Sequence, residues 1–435
     1  MRRGCAGATS CGRGAVAVVT DDRTAEGARA VRFSPLSLDA VNVLLADVRG
    51  ALGPYLNVFL VTQRQWSQTD VGLVTTIAGL LGLVVQTPIG AAIDATAAKR
   101  GVIVLALAVL SVGAVTIFAA PWFGPVLAAN ALMAVAGDVF GPAVTALTLG
   151  LYRRNRLARR IGRNAACDHA GNVGIAVVAG VVGYLFSQRA VFLLVPVFAA
   201  LAAVAVLSIP HASIDQDRAR GLDDGVQGEG SGRAPSGYRI LLQCRPLLVF
   251  GLCTMLFHFA NAPLLPLVGQ KLALSHPRWA TAMMSSCIVA AQLIMVPVAL
   301  LAGSLADRWG RKPILLIGFA ILPLRAALYT LSDAAPWLIG VQLLDGVGAG
   351  VFGAIMPLVV ADLMRGTGRF NVAQGAIATA QGVGASTSGL VAGVIVDHFG
   401  YSPAFLGLGV AACVAVAALW FAMPETRKDD SAVRL

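Results

Sequence analysis

Apolar stretches of about 20 residues recur along almost the whole chain, separated by short polar connectors. A helix rising about 1.5 Å per residue needs about 20 such residues to cross a hydrocarbon layer of about 30 Å. Inside that layer each backbone N–H and C=O must be satisfied without water, which a helix achieves by itself. Twelve stretches qualify: residues 36–62, 70–93, 101–120, 124–150, 164–186, 189–209, 246–268, 279–302, 313–333, 335–362, 371–397 and 402–423. The expected fold class is therefore an all-α integral membrane protein with twelve transmembrane helices. The runs are continuous rather than alternating, which excludes a β-barrel. Only 13% of the 435 residues are charged, about half the share of a soluble chain. Three soluble domains, the organisation that length alone suggests, are excluded on the same ground.

The net charge of +11 is a topology signal rather than a nucleic-acid signal, because the basic residues gather in the connectors. With the N-terminus cytosolic, 27 of the 33 Lys and Arg fall on the cytosolic side. Four fall on the other side: Arg64, Arg189, Lys271 and Arg278. Arg49 and Arg325 lie within spans. Trp66, Trp122, Trp279 and Trp337 all fall at the outer boundary, as an aromatic belt does. The expected placement is multi-pass in the plasma membrane, with both termini cytosolic. The richness in Arg and Ala suggests a GC-rich genome and hence a bacterial inner membrane. The seven cysteines form no C-x-x-C pair and read as small buried hydrophobes.

Residues 1–34 hold six arginines and no signal-peptide core. They read as a disordered cytosolic tail, or as a stretch ahead of a later start codon. A polar, Gly-rich central linker is expected over 211–240, flanked by six-helix bundles over 35–210 and 241–423, with a cytosolic tail over 424–435.

The two halves repeat each other. Trp66, Gly90, Asp94 and Lys99 stand 213 residues before Trp279, Gly303, Asp307 and Lys312, as does Val178-Ala179-Gly180 before Val391-Ala392-Gly393. Six spans per half with the same orientation make a parallel repeat. Two such bundles facing each other suit alternating access.

The most specific motif is Gly303-Ser-Leu-Ala-Asp307-Arg308-Trp-Gly310-Arg311-Lys312. It resembles the signature loop of the major facilitator superfamily, G-x-x-x-D-R-x-G-R-K. The first-half copy, Gly90-Ala-Ala-Ile-Asp94-Ala-Thr-Ala-Ala-Lys99-Arg100, lacks the Arg after the Asp and the second Gly, and is one residue longer. Pro424-Glu425-Thr426-Arg427 is similar to the P-E-T-[KR] ending of many members. The resemblance covers about 36–427. It implies that Gly90, Asp94, Lys99, Arg100, Gly303, Asp307, Arg308, Gly310, Arg311 and Lys312 form gating loops. It also implies that spans 1, 4, 7 and 10 line a central cavity. Independently of the resemblance, these charges suit turn residues and topology anchors near helix ends.

Ionisable side chains at membrane depth cost about 2.5–3.5 kcal/mol or more on insertion scales, so each is a functional candidate. By the resemblance, Asp47, Arg49, Asp138, His258 and Asp345 fall on cavity-lining spans. Asp47 and Arg49 are two residues apart and point away from each other on a helix, so one is expected to face the cavity. Asp138, beside Gly137 and ahead of Gly141-Pro142, suits a proton carrier, or alternatively a permanent ion pair with Arg49. Arg325 has Asp345 as its natural partner in an intramembrane ion pair; the other reading is that it meets an anionic substrate. His258 with Asn261 reads as a hydrogen-bonded core group or as a proton or substrate contact. Gln342 and Asn261 are expected in the same cavity, where helix–helix hydrogen bonds are an equal alternative. Asp168 and His169, a turn inside span 5, suit gating.

No phosphate-binding G-x-x-x-x-G-K-[ST], H-E-x-x-H or G-x-S-x-G motif is present. The reading is a secondary active transporter, not an enzyme, with no cofactor and no metal. The expected partners are a small organic substrate, protons and the lipid bilayer, with no nucleic acid, and the expected state is a monomer. Export is the leading direction. Uptake of a small organic anion or metabolite by symport is the alternative within transport, and a membrane sensor on a transporter fold is the alternative outside it.

Overall fold

The computed structural model describes residues 34–46, 48, 52–219, 243–365 and 370–427. The expected N-terminal tail, Asp47 and Arg49, most of the central linker and the last eight residues lie outside the described residues, as does the side chain of Asp94. The described residues are helical or irregular, with no strand among them.

The fold opens with two short helices, α1 (Pro35–Leu45) and α2 (Gly53–Arg64), where one span is expected. Leu52 stands between them at φ 55°, in the left-handed region. Gly50, Gly53 and Pro54 are helix-breaking residues at this junction. The longer elements follow: α3 (Gln68–Ala95), α4 (Lys99–Ala119), α5 (Phe123–Leu151), α6 (Arg154–Leu185) and, after one 3₁₀ turn, α7 (Leu194–Leu207). Ser67 starts α3 by accepting the Asp70 N–H at 3.0 Å, an N-cap that satisfies one free donor.

Residues 211–219 pack rather than trail away. A 3₁₀ turn (His211–Ser213) leads into α8 (Gln216–Ala219), and the Asp215 N–H bonds the Gly150 carbonyl of α5 at 3.1 Å. Ile214 and Ala219 are buried there, so these apolar side chains anchor a segment whose composition otherwise reads as flexible.

The second half contains α9 (Arg245–Asn261), α10 (Leu264–Ser275), α11 (Ala280–Trp309), α12 (Arg311–Leu328), α13 (Ala335–Leu363), α14 (Phe370–Phe399) and α15 (Tyr401–Ala422). Pro263 and Pro266 divide α9 from α10, since neither has an N–H to continue the ladder.

Among the described residues, ten stretches are long and apolar enough to cross a membrane. The two expected spans missing from that set have local causes. Span 1 is broken into helices of 11 and 12 residues. Span 9 is the 18-residue α12, which carries Arg311, Lys312 and Arg325. Two buried apolar clusters hold the structure. One is built mainly from residues 41–219 and the other from residues 247–423. Val112, Val204, Leu300, Val410 and Phe421 remain largely exposed, forming the kind of surface that lipid covers.

Candidate transport site

A cavity of about 600 Å³ lies between α3, α5, α9 and α14. Its polar lining is Asp138 and Asn130 from α5, His258 from α9, Thr75 and Gln86 from α3, and Gln381 and Ser386 from α14. No Lys or Arg is among its described lining residues, and Asp138 is the single carboxylate among them. The sequence makes room for that carboxylate. A Cβ on Gly82 would stand 2.8 Å from Asp138 Oδ2. His258 is held by a bond of 3.0 Å between Nδ1 and the Thr254 carbonyl. A carbonyl only accepts, so this bond places the proton on Nδ1 and leaves Nε2 as the acceptor. Phe257 and Phe352 meet the His258 ring edge to face.

At one end, α3 and α14 seal the cavity by backbone approach. A Cβ on Gly72 would lie 2.5 Å from the Gly389 carbonyl oxygen, so only glycine permits this contact. Thr76 donates to the Ser386 carbonyl at 2.6 Å. The Asp397 carboxylate accepts the N–H groups of Gln68 and Thr69, the first residues of α3. On the neighbouring seam Tyr55 and Ser285 hydroxyls meet at 2.8 Å, and Tyr184 stacks on Trp279 with centroids 4.5 Å apart. A second cavity of about 120 Å³ lies at this sealed end and shares Thr75 and Ala385 with the first. Toward the end that carries the basic connectors, a cavity of about 560 Å³ is lined in part by Asn42, Asp168 and Gln374. His169 Nδ1 lies 3.0 Å from Gln292 Oε1, linking α6 to α11.

Asn261, Gln342 and Asp345 are brought together elsewhere, around Arg325. The Arg325 guanidinium is 2% exposed. It donates to Asp345, and to Asn261 Oδ1 at 3.0 Å. Gln342 Nε2 donates to the other Asp345 oxygen at 2.9 Å, and Tyr329 donates to Gln342 Oε1. These three candidates are not among the residues lining the 600 Å³ cavity. Tyr329 completes the network and shows no charge or motif that would mark it in sequence.

The signature loop is a clasp. Gly310, at φ 96°, turns the chain from α11 into α12. Arg311 bonds Asp307 at 2.9 Å and Asp362, at the end of α13, at 3.1 Å. The N–H groups of Arg311 and Lys312 donate to the two Glu425 oxygens, each at 2.9 Å. Arg427 donates to the Arg308 carbonyl at 2.6 Å, and Lys312 Nζ to the Trp420 carbonyl at 2.7 Å. Burial pushes the Glu425 carboxyl up. The backbone N–H groups of Arg427, Arg311, Lys312 and Thr426 outweigh that and hold it below the usual carboxylate range. Glu425 thus acts as the N-cap that α12 lacks locally.

The first-half copy is built differently. Lys99 is buried and donates to the Ile93 and Thr96 carbonyls, both at 3.1 Å, capping the end of α3. Arg100 donates to the Ile209 carbonyl at 2.6 Å. A Cβ on Gly90 or Gly303 would meet nothing within 4 Å.

Three acids matter that motif reading does not reveal. Asp362 and Asp397 sit at helix ends, where acids are common and only the fold supplies a partner. Asp39 carries the same signal as Asp47, an acid within an apolar run. It is 8% exposed and pairs with Arg163 and, at 2.8 Å, with Arg160, joining α1 to α6.

Comparison with known proteins agrees with this architecture. The family described as Major Facilitator Superfamily matches residues 39–322 and 247–434. An uncharacterized MFS-type transporter of Mycobacterium tuberculosis is 48% identical over 401 residues, covering 92% of this chain and 95% of that protein. A Deinococcus radiodurans protein whose name refers to sugar efflux is 25% identical over 407 residues, covering 91% of this chain and 99% of that one. The crystal structure of the nucleoside transporter NupG superposes with a TM-score of 0.69 at 15% identity, covering 89% of this chain and 98% of that one, a likeness of fold. The chain belongs to the Major Facilitator Superfamily.

Proposed function

We propose that this chain is a proton-coupled secondary transporter that exports a small organic molecule by alternating access, acting as a monomer in a bacterial inner membrane. The observation that carries the proposal is Asp138, the single carboxylate among the described lining of the 600 Å³ cavity. Protonation changes its charge inside a low-dielectric space, and a charge change at such a place biases the balance between access states. In this reading the basic connectors are cytosolic, the α3–α14 contacts close the outer end, and substrate enters from the cytosol. His258 and Gln381 are the substrate contacts in this reading. The absence of Lys and Arg from the described lining favours a neutral or cationic substrate over an organic anion, and so favours export over anion symport. A relative named for efflux points the same way.

The test is compound susceptibility in a pump-deficient bacterial host, followed by flux of the protected compound in proteoliposomes under an imposed proton gradient. Wild type is expected to protect, and Asp138→Asn to lose gradient-driven flux at normal expression. Full gradient-driven flux in Asp138→Asn overturns its role as carrier. Accumulation instead of protection overturns export.

A further inference from the structure

Two pairs of amide side chains within the helix bundle behave differently. Gln342 and Asn261 are engaged inside the fold, with Asp345, Tyr329 and Arg325. Gln86 of α3 and Asn130 of α5 are not. Both line the 600 Å³ cavity, both are partly buried, and neither side chain hydrogen-bonds another described residue. Each amide presents two N–H donors and a carbonyl oxygen with two lone pairs. His258 uses Nδ1 on the Thr254 carbonyl, which leaves Nε2 as an acceptor in the same cavity. The Thr75 hydroxyl gives its proton to α3 carbonyls at 3.0 Å and keeps a lone pair. Donors and acceptors thus come from α3, α5 and α9, and the fold leaves them unused.

What the lining lacks narrows the ligand further. No Phe, Tyr or Trp is among the described lining residues, and the larger apolar side chains there are Leu83 and Met133. Phe257 and Phe352 pack on the His258 ring but are not among the lining residues. Sites for apolar drug-sized ligands are lined mainly by apolar and aromatic side chains. Sites for quaternary or lipophilic cations offer aromatic faces. An apolar ligand here would strip water from the two amides and return no hydrogen bond, which is a net penalty. A carboxylate or phosphate would lack the Lys or Arg that usually pairs with it.

We propose that the substrate is an uncharged, polyhydroxylated molecule of sugar or cyclitol type, held through its hydroxyls by Gln86, Asn130 and His258. A hydroxyl both donates and accepts, so two neighbouring hydroxyls match one amide: one donates to its oxygen and the other accepts its N–H. A further hydroxyl donates to His258 Nε2. Asp138 then exchanges its proton without a fixed substrate cation beside it. The inference rests on this cavity being the transport site and names its substrate class.

The test measures binding without a gradient, so it depends on neither coupling nor direction. Full-length protein in lipid nanodiscs is equilibrated with radiolabelled glucose, galactose, mannose, xylose, sucrose, trehalose and myo-inositol. Tetraphenylphosphonium and benzoate serve as the cationic and anionic contrasts. The expected result is saturable binding of at least one of these polyols and of neither contrast. Gln86→Leu and Asn130→Leu are each expected to raise its half-saturating concentration by about tenfold or more. Saturable binding of no polyol overturns the proposal. So does polyol binding that both leucine variants keep at the wild-type half-saturation. Where those variants fail to fold, Gln86→Asn decides, because it draws the amide back by one methylene: an unchanged half-saturation overturns the proposal. Polyol binding without proton-driven flux upholds the substrate class and overturns the coupling. Proton-driven flux with binding of tetraphenylphosphonium alone overturns the substrate class and leaves the coupling standing.

Discussion

The carboxylate of Asp397, at the last turn of α14, receives the backbone N–H groups of Gln68 and Thr69 at 2.9 and 2.7 Å and the Thr69 hydroxyl at 2.5 Å. One side chain from the second half thereby caps the N-terminus of α3 in the first. Hydrogen bonds to a charged group are worth about 1.5–3 kcal/mol each, and the positive pole of the helix adds to them. Asp397→Ala is expected to shift the balance from the sealed to the open state by roughly tenfold or more. Distances between spin labels on α3 and α14, measured in the purified protein, check this. An unchanged distance distribution would show that the glycine contacts alone keep the end shut.

Gly72 is the second determinant of closure. Any side chain there meets the Gly389 carbonyl at 2.5 Å. Gly72→Val is expected to abolish transport while leaving expression and membrane insertion intact, because the clash falls on the α3–α14 contact that seals the cavity. Gly72→Ala is expected to be intermediate. Flux in proteoliposomes alongside expression level separates this outcome from misfolding.

The Glu425 clasp predicts a pH dependence on the acid side. Its folded-state carboxyl sits below its ordinary value of 4.5. The stabilisation is therefore present above the unfolded-state value and is lost as pH falls through the folded-state value. Amide hydrogen exchange at Arg311 and Lys312 is expected to accelerate in wild type as pH falls below the ordinary carboxylate range, beyond the intrinsic pH effect. In Glu425→Gln the protection is expected to be weaker at neutral pH and insensitive to this range.

The Arg325–Asp345 pair is expected to behave as structure rather than as a substrate contact. Removing one partner leaves an uncompensated buried charge, at a cost of about 3–5 kcal/mol. Asp345→Leu and Arg325→Leu are each expected to lower the unfolding midpoint sharply, and the double variant to recover much of the loss. A double variant that folds well yet loses transport of its substrate would assign the pair to the transport path instead.

Some of the candidates named from sequence meet in one place and others do not, for a geometric reason. Asp138 and His258 lie on α5 and α9, whose facing sides bound one cavity. Asn261 is on the same helix as His258, three residues on. That step leaves it about 60° from His258 on the same face, but α9 ends there, and Asn261 meets Arg325 of α12 instead. Charge and apolarity mark such residues as candidates, but the partner depends on helix rotation and on breaks such as Pro263.

By itself, the sequence determines that this chain is a bundle of membrane helices. Long apolar runs leave the backbone no other way to satisfy its hydrogen bonds in lipid, and the skew of arginines into alternate connectors carries the topology signal. The repeat of Trp66, Gly90 and Asp94 at Trp279, Gly303 and Asp307 is likewise local and legible. Only the tertiary structure decided which end is sealed, that Asp397 caps α3, and that Asn57 and Gln270 share a cavity. Each of these joins residues more than 200 positions apart. Contacts at that separation depend on how whole helices pack against each other, which residue type and local spacing do not encode.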